Sequence, residues 1–375
     1  MTPRERMKAA MDLRRPDRVP VMCQLSIGHM LLQLGIQPVE FWHDPEIFAD
    51  GLVKLRAEYD FDGILVSLHG HNPEWRTEIT RREPWEEGEA VTFKDGHVML
   101  YPPDDLPRPP TASLGKSIAI SGFDMRDLPQ TLGYIPVSGG LHFQIHPDHK
   151  FDIFRRLRAS VGPNYSLHGE ITSPFDYFLD LFGYQEGLIN LIDDPKKSKS
   201  ILSHFARLIT NLASEMCETD IDAIKVSSPF AGGGFISRAF YEEFVLPYES
   251  EIIHAVRRKG VHIYIHTCGA IGDRLDLMFD SGASGLECLD PPPLGNVELA
   301  EAMKTIGGKG FVKGNVDSVN LLLMKGRKEI LEDLRERILI GKGERGFILS
   351  TACSVAPRTK KENLLLFRDA VGEWG

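Results

Sequence analysis

Residues 238–268 read RAFYEEFVLPYESEIIHAVRRKGVHIYIHTC, and the fold follows from how that stretch divides. Its first part spaces apolar side chains among charged ones at a helical interval, which predicts an amphipathic helix over 238–258. Lys259-Gly260 breaks that pattern. The run 260–266 that follows is apolar and β-branched on both faces, as a strand covered on both sides requires. It leaves through His266-Thr267-Cys268-Gly269, an exit rich in polar and ligating side chains.

The same unit recurs in both directions along the chain. Short strand-like runs fall at 19–24, 61–67, 164–170, 221–227, 260–266, 283–289, 309–315 and 346–352. Helical patterns lie between most of them, at 45–59, 195–217, 238–258, 296–306 and 325–340, with a last helix at 359–371. Strands alternating with amphipathic helices give a parallel sheet covered by helices. Eight such units predict closure into a (β/α)8 TIM barrel. The competing open, doubly wound sheet is announced by a glycine-rich first turn, and none is present.

One segment breaks the rhythm. Residues 70–147 are rich in proline, carry Trp75 and Trp85, and contain a hairpin pattern near 89–101. They read as an insertion after the second strand of a single 1–375 barrel domain. An insertion there caps the barrel mouth, because βα loops build the catalytic face; the alternative is a loop excursion without function.

Composition narrows the class. Of 375 residues 42% are hydrophobic and 26% charged, which suits a soluble globular chain. The net charge of −10 is spread along the sequence, so no basic face for nucleic acid is expected. No apolar run is long enough to cross a membrane, and MTPRERMKAAMDLRRPDRVP lacks the apolar centre of a secretion signal. Five cysteines without a pairing pattern fit a reducing, cytoplasmic location.

In a barrel the chemistry collects at strand C-termini, and the polar residues fall there. The ends carry Ser67, His69 and His71; His168 and Glu170; Ser227 and Ser228; His266 and Cys268; Glu287, Cys288 and Asp290; Asn315 and Asp317; and Cys353. Two residues apart on an extended chain, His266 and Cys268 share a side, as two ligands of one ion must. Cys353 reaches the same level from the last strand. Two thiolates and one imidazole leave a tetrahedral zinc ion one open position, the arrangement of a catalytic rather than a structural site. The plainer reading is a buried histidine beside a buried thiol. Glu170 is the carboxylate candidate for a fourth ligand or a general acid, or else an interior glutamate paired to His168 or an arginine. Cys288 could substitute as a ligand, while Cys23 and Cys217 read as small core residues. His69, Ser227, Asn315 and Asp317 are the candidates for substrate binding.

Five segments carry a family likeness: TPRERMKAAMDLRRPDRVPV; HGEITSPFDYFLDLFG with LIDDP; YIHTCGAIGDRLDLMFDSGASGLECLDP; KGNVDS; and FILSTACSVAPRTKKENLLLFRDAV. In order and spacing the chain resembles the uroporphyrinogen decarboxylase-like superfamily, which implies a (β/α)8 barrel. Decarboxylases of that superfamily carry an R-Q-A-G-R segment near the N-terminus, whereas the corresponding Met22–His29 here has no arginine. The methyltransferase branch binds zinc through an H-x-C pair and a later cysteine, a pattern matched by His266, Cys268 and Cys353. The resemblance therefore implies methyl transfer between a small methylated substrate and the cobalt of a corrinoid (cobalamin) held by a partner protein.

Two directions are open: O-demethylation of an aryl methyl ether, which the aromatic insertion favours, and methylation of a thiol from methylcobalamin. Two rivals stand beside them. One is a metal-free decarboxylase-like lyase, which the missing arginines disfavour. The other is a corrinoid storage module, which would need the absent D-x-H-x-x-G cobalt-ligand motif.

Overall fold

A computed structural model describes residues 1–86, 88–111, 118–138, 140–306 and 308–375. Seven parallel strands form one sheet. In chain order they are β1 (Gly63–Val66), then β7 (Ser166–Thr172), β8 (Ala223–Ser227), β9 (His262–Thr267), β10 (Gly285–Cys288), β11 (Phe311–Val316) and β12 (Phe347–Thr351). The intervening β2 (Ile79–Trp85), β3 (Gly88–Phe93), β4 (Val98–Tyr101), β5 (Tyr134–Ser138) and β6 (Leu141–Gln144) belong to the insertion.

The first expected strand, 19–24, is present as an eighth stave without a full ladder. Val21 bridges Leu349 and Leu25 bridges Val355 on the β12 side. On the other side the Asp62 N–H donates to the Val21 carbonyl (2.8 Å), which closes the barrel towards β1. Two local features prevent regular pairing. Pro20 has no N–H to give, and the Val21 N–H donates to the Asp62 carboxylate (2.8 Å) instead of to a neighbouring strand. Arg6 and Arg18 bind the same buried carboxylate, at 2.5 and 3.2 Å.

Helices Pro45–Tyr59, Pro195–Met216, Leu299–Ile306, Arg327–Gly343 and Lys361–Trp374 follow the expected positions. The helix expected over 238–258 is two, Arg238–Phe244 and Leu246–Arg258. The break at Val245 precedes Pro247, whose ring and missing N–H cannot continue a helical ladder. Among the described residues no helix is long and apolar enough to cross a membrane.

The N-terminal helix Pro3–Met11 closes the bottom of the barrel. Its Met7, Ala10 and Met11 pack with Met22 and with Ala223, Tyr264, Phe311 and Ile348, which stand at or near the strand starts. Alternation then decides what lies above that plug. Two residues further along come Lys225, His266, Lys313 and Ser350, all buried. A polar layer therefore sits on an apolar base, directly under the ends of the strands.

The insertion has two parts. β2, β3 and β4 form an antiparallel sheet, so the hairpin expected near 89–101 is β3–β4 with β2 added. β5 and β6 form a second hairpin. Of the expected insertion 70–147, residues 87, 112–117 and 139 lie outside the described residues.

Candidate metal centre and active site

His266 is the penultimate residue of β9 and Cys268 follows that strand by one residue; Cys353 follows β12 by two. The His266 Nε2 lies 3.3 Å from the Cys268 Sγ, and the two sulfurs are 3.6 Å apart. A tetrahedral zinc ion with ordinary bond lengths spaces two sulfurs by about 3.8 Å and a sulfur and a nitrogen by about 3.6 Å. Both spacings fit that ion with small adjustments, and the ligand atoms of all three residues lie within 4.8 Å of one another. His266 is buried, while both cysteines keep partial exposure, so the assembly opens on one side.

Backbone details hold the ligand loop. Gly269 adopts φ +77°, which turns the chain sharply after Cys268. A Cβ on Gly232 would stand 2.3 Å from the Cys268 carbonyl oxygen, so only glycine permits that approach. The Gly269 N–H donates to Asp290 (2.7 Å) and the Ser228 N–H to the His266 carbonyl (2.8 Å).

Behind the candidate ligands lies a network of buried charges that strand register assembles. Glu287 is level with His266 on one neighbour and with Lys313 on the other, and Glu170 is level with Lys225. His266 donates its Nδ1–H to Glu287 (2.9 Å), which leaves Nε2 free to face the sulfurs. Glu287 also accepts from Lys313, and its other oxygen is 3.8 Å from Lys225. Lys225 pairs with Glu170 at 2.9 Å and donates to Gln24 at 2.7 Å. Burial opposes the charge on Lys225, but Glu170 and Glu287 outweigh it and raise its pKa. Burial likewise opposes the charge on Glu287, and Lys313 and Lys225 overcome it, holding the carboxyl well below its ordinary range. Two lysines and two glutamates sum to zero, which is how four charges can share a barrel interior.

The candidate ligands open into a cavity of about 420 Å³. Glu170, Ser227, His266, Cys268 and Cys353 line it, and Phe230, Tyr184, Leu25 and the hairpin residues Ile135 to Val137 supply apolar wall. One oxygen of Glu170, Oε2, is buried and has no hydrogen-bond partner. The grouping of potential ligand atoms within 4.8 Å of one another holds His266, Cys268 and Cys353 but not Glu170, whose Oε1 is engaged by Lys225.

Among the expected substrate-binding residues, only Ser227 lines this cavity. His69 is fully buried, donates to the Lys150 carbonyl (3.1 Å) and packs on Phe151; burial depresses its pKa to about 4. Asn315 donates to the carbonyls of Leu289 (2.8 Å) and Val297 (3.3 Å), and Arg337 donates to its oxygen. Asp317 caps the following turn through the N–H groups of Val319 and Asn320. These three polar groups hold loops in place and lie outside the lining of this cavity. Cys288 lies behind Cys268, and with Cys268 and Asp290 forms a second grouping of possible ligands. Burial, then hydrogen bonding to Cys268 and Cys353, pushes its thiol well up. Cys23 is buried with its thiol pushed up to about 12, and Cys217 is half-buried against the core.

Sequence reasoning missed Lys225 and Lys313 altogether. Their signal was a lone lysine inside an otherwise apolar strand, in AIKVS and FVKGN. It also missed Asp176 and Asp180, which reach the cavity from helix Pro174–Phe182. Burial pushes the Asp176 carboxyl up to about 8, although Ser173 donates to it at 2.5 Å.

A profile of the uroporphyrinogen decarboxylase (URO-D) family matches residues 144–374, the part of the barrel that follows the insertion. The chain belongs to the URO-D family. Among its URO-D relatives are the methylcobamide:CoM methyltransferases MtbA of Methanosarcina acetivorans and Methanosarcina mazei, each 23% identical over 365 and 375 aligned positions. Each alignment covers 97% of this chain and 95% of the relative. A uroporphyrinogen decarboxylase of Legionella pneumophila is 24% identical over 344 positions, 86% of this chain and 89% of that one. A solved methyltransferase from Methanosarcina mazei superposes with a TM-score of 0.72 at 18% identity, covering 100% of this chain and 99% of that chain. That likeness establishes the URO-D barrel fold. Within it, the arginine-free segment Met22–His29 presents Gln24 to Lys225.

Proposed function

We propose that this chain is a corrinoid-dependent methyltransferase that holds zinc through His266, Cys268 and Cys353. It moves a methyl group between a small methylated substrate and the cobalt of a corrinoid carried by a partner protein. The observation that carries the reading is the convergence of one imidazole nitrogen and two sulfurs, all within 4.8 Å of one another, on the floor of a substrate-sized cavity. The relatives named methylcobamide:CoM methyltransferase support the reaction class.

When bound there, zinc would offer its open position to the substrate heteroatom and stabilise negative charge on it. The protein's own contribution is positional. Glu287 fixes the His266 tautomer and ring direction, and Lys313 and Lys225 hold Glu287 ionised. Glu170, which lines the cavity and is anchored by Lys225 through one oxygen, keeps its second oxygen, Oε2, buried without a partner and so able to give or take the heteroatom's proton. The insertion, through Ile135 to Ser138 and Asp105–Leu106, caps the cavity and limits water.

For the substrate, Phe230, Tyr184 and the apolar hairpin residues favour an aryl methyl ether, whose oxygen keeps the C–O electron pair as the methyl group leaves. Thiol methylation is the second reading, favoured by the relatives' printed activity. The test offers the purified protein a Co(I) corrinoid carrier with methoxyarenes, and separately methylcobalamin with thiols. Methyl transfer in either pair, abolished by Cys268→Ala, is the expected result. No transfer in any pair, or transfer that survives the substitution, refutes the proposal.

A further inference from the structure

Apart from His266, the titratable oxygen and nitrogen groups described along the cavity above the candidate ligands are carboxyls and one phenol, Tyr184, and Glu170 among them is already paired to Lys225. Asp105, Glu170, Asp176 and Asp180 all line the cavity, and among its described lining residues there is no lysine or arginine. The ammonium beneath its floor, Lys225, is fully buried and already held by Glu170 and Gln24 at 2.9 and 2.7 Å. Asp180 accepts from Tyr134 (3.0 Å) and His142 (2.8 Å), and so keeps its carboxylate at the wall. Asp176 lies buried beside Ser173, which donates to it at 2.5 Å, and burial pushes its carboxyl up to about 8. A zinc ion bound by two thiolates adds no net positive charge. A substrate bearing a sulfonate, carboxylate or phosphate would enter this space without a counterion, a costly placement in a partly dehydrated site.

A second observation is independent of the count of charges. Glu170 is only 9% exposed, yet its Oε2 accepts no hydrogen bond from any protein group. A buried carboxylate oxygen without a donor is a deficit that a ligand can fill. The donor would be a hydroxyl, an N–H or an ammonium next to the reacting heteroatom.

We infer that this site selects a neutral or cationic substrate that donates a hydrogen bond to Glu170, and rejects anionic substrates. The inference rests on the metal reading above and adds a charge class to it. Applied to methoxyarenes, it favours a phenolic or amino ring over a ring carrying a carboxylate. Applied to thiols, it favours an amino or hydroxy thiol over a thiol sulfonate.

The test uses the full chain loaded with Co(II), whose thiolate absorption reports binding without turnover. Cysteamine, 2-mercaptoethanol, ethanethiol and 2-mercaptoethanesulfonate are titrated at neutral pH, each corrected for its own thiol ionisation. We expect cysteamine and 2-mercaptoethanol to bind at least about tenfold tighter than the sulfonate, as a like charge a few ångströms away in a partly buried site implies. 2-Mercaptoethanol should also bind tighter than ethanethiol, and Glu170→Gln should narrow the advantage of cysteamine over the sulfonate. Equal or tighter binding of the sulfonate overturns the inference and leaves the metal reading standing. Failure of the protein to bind cobalt, or of every thiol to alter its spectrum, overturns the metal reading and the inference with it.

Discussion

Replacing Glu287 by glutamine tests the charge network that stands behind the ligands. The wild-type interior balances Lys225 and Lys313 against Glu170 and Glu287, with His266 donating to Glu287 at 2.9 Å. Glutamine keeps the shape and removes one negative charge, which leaves a net charge of +1 enclosed by the barrel. Removing one partner of a buried ion pair costs about 3–5 kcal/mol, because the remaining charge stays buried. The substitution also weakens the acceptor that orients His266, and loss of such a partner lowers metal affinity by about 10–100-fold. Two assays separate these effects: denaturant unfolding of the metal-free protein, and competition for zinc against a chromophoric chelator. Adding Lys313→Met restores neutrality, so the double variant should regain most of the stability and little of the metal affinity. A Glu287→Gln protein with wild-type zinc affinity would refute the orienting role, and one with unchanged stability would refute the charge balance.

Further outcomes follow from other parts of the structure. Gly232→Ala forces a Cβ to within 2.3 Å of the Cys268 carbonyl oxygen; it should cost about 1–3 kcal/mol and reduce zinc affinity while the circular dichroism stays native. Asp62→Ala removes the carboxylate that ties Arg6, Arg18 and Val21 together, and should lower stability by about 3–5 kcal/mol in urea unfolding. Burial raises the Glu249 carboxyl from 4.5 to about 7. A folded-state pKa above the unfolded one means stability that is present below pH 4.5 and lost as pH rises through about 7. Glu249→Gln should therefore gain up to about 3 kcal/mol relative to wild type between pH 5 and pH 8; a pH-independent difference between the two would contradict this.

Strand periodicity made the barrel legible, and with it the convergence of His266, Cys268 and Cys353. His266 and Cys268 are two apart at a strand end, so their shared side needs no knowledge of neighbours, and Cys353 needs only the assignment of a last strand. The charge network was harder to read because its partners meet across strands. Glu287 touches His266 and Lys313 only once the register of β9, β10 and β11 is fixed, and residue spacing carries no register. The places of the other polar residues were hidden for a related reason. His69, Asn315 and Asp317 follow strands, but the position of a residue after a strand does not decide whether its side chain turns to the cavity or to a loop. The first stave was blurred by the Asp62 side chain, which takes the Val21 N–H in a contact 41 residues apart.

The central claim is a zinc ion held by His266, Cys268 and Cys353, and elemental analysis tests it most directly. Protein purified without chelator, and the Cys268→Ala and Cys353→Ala variants, would be measured for metal content alongside methyl transfer. The account predicts about one zinc per wild-type chain, with metal and activity lost together in both variants. A metal-free wild type with full activity, or both variants retaining a full complement of zinc, would contradict it.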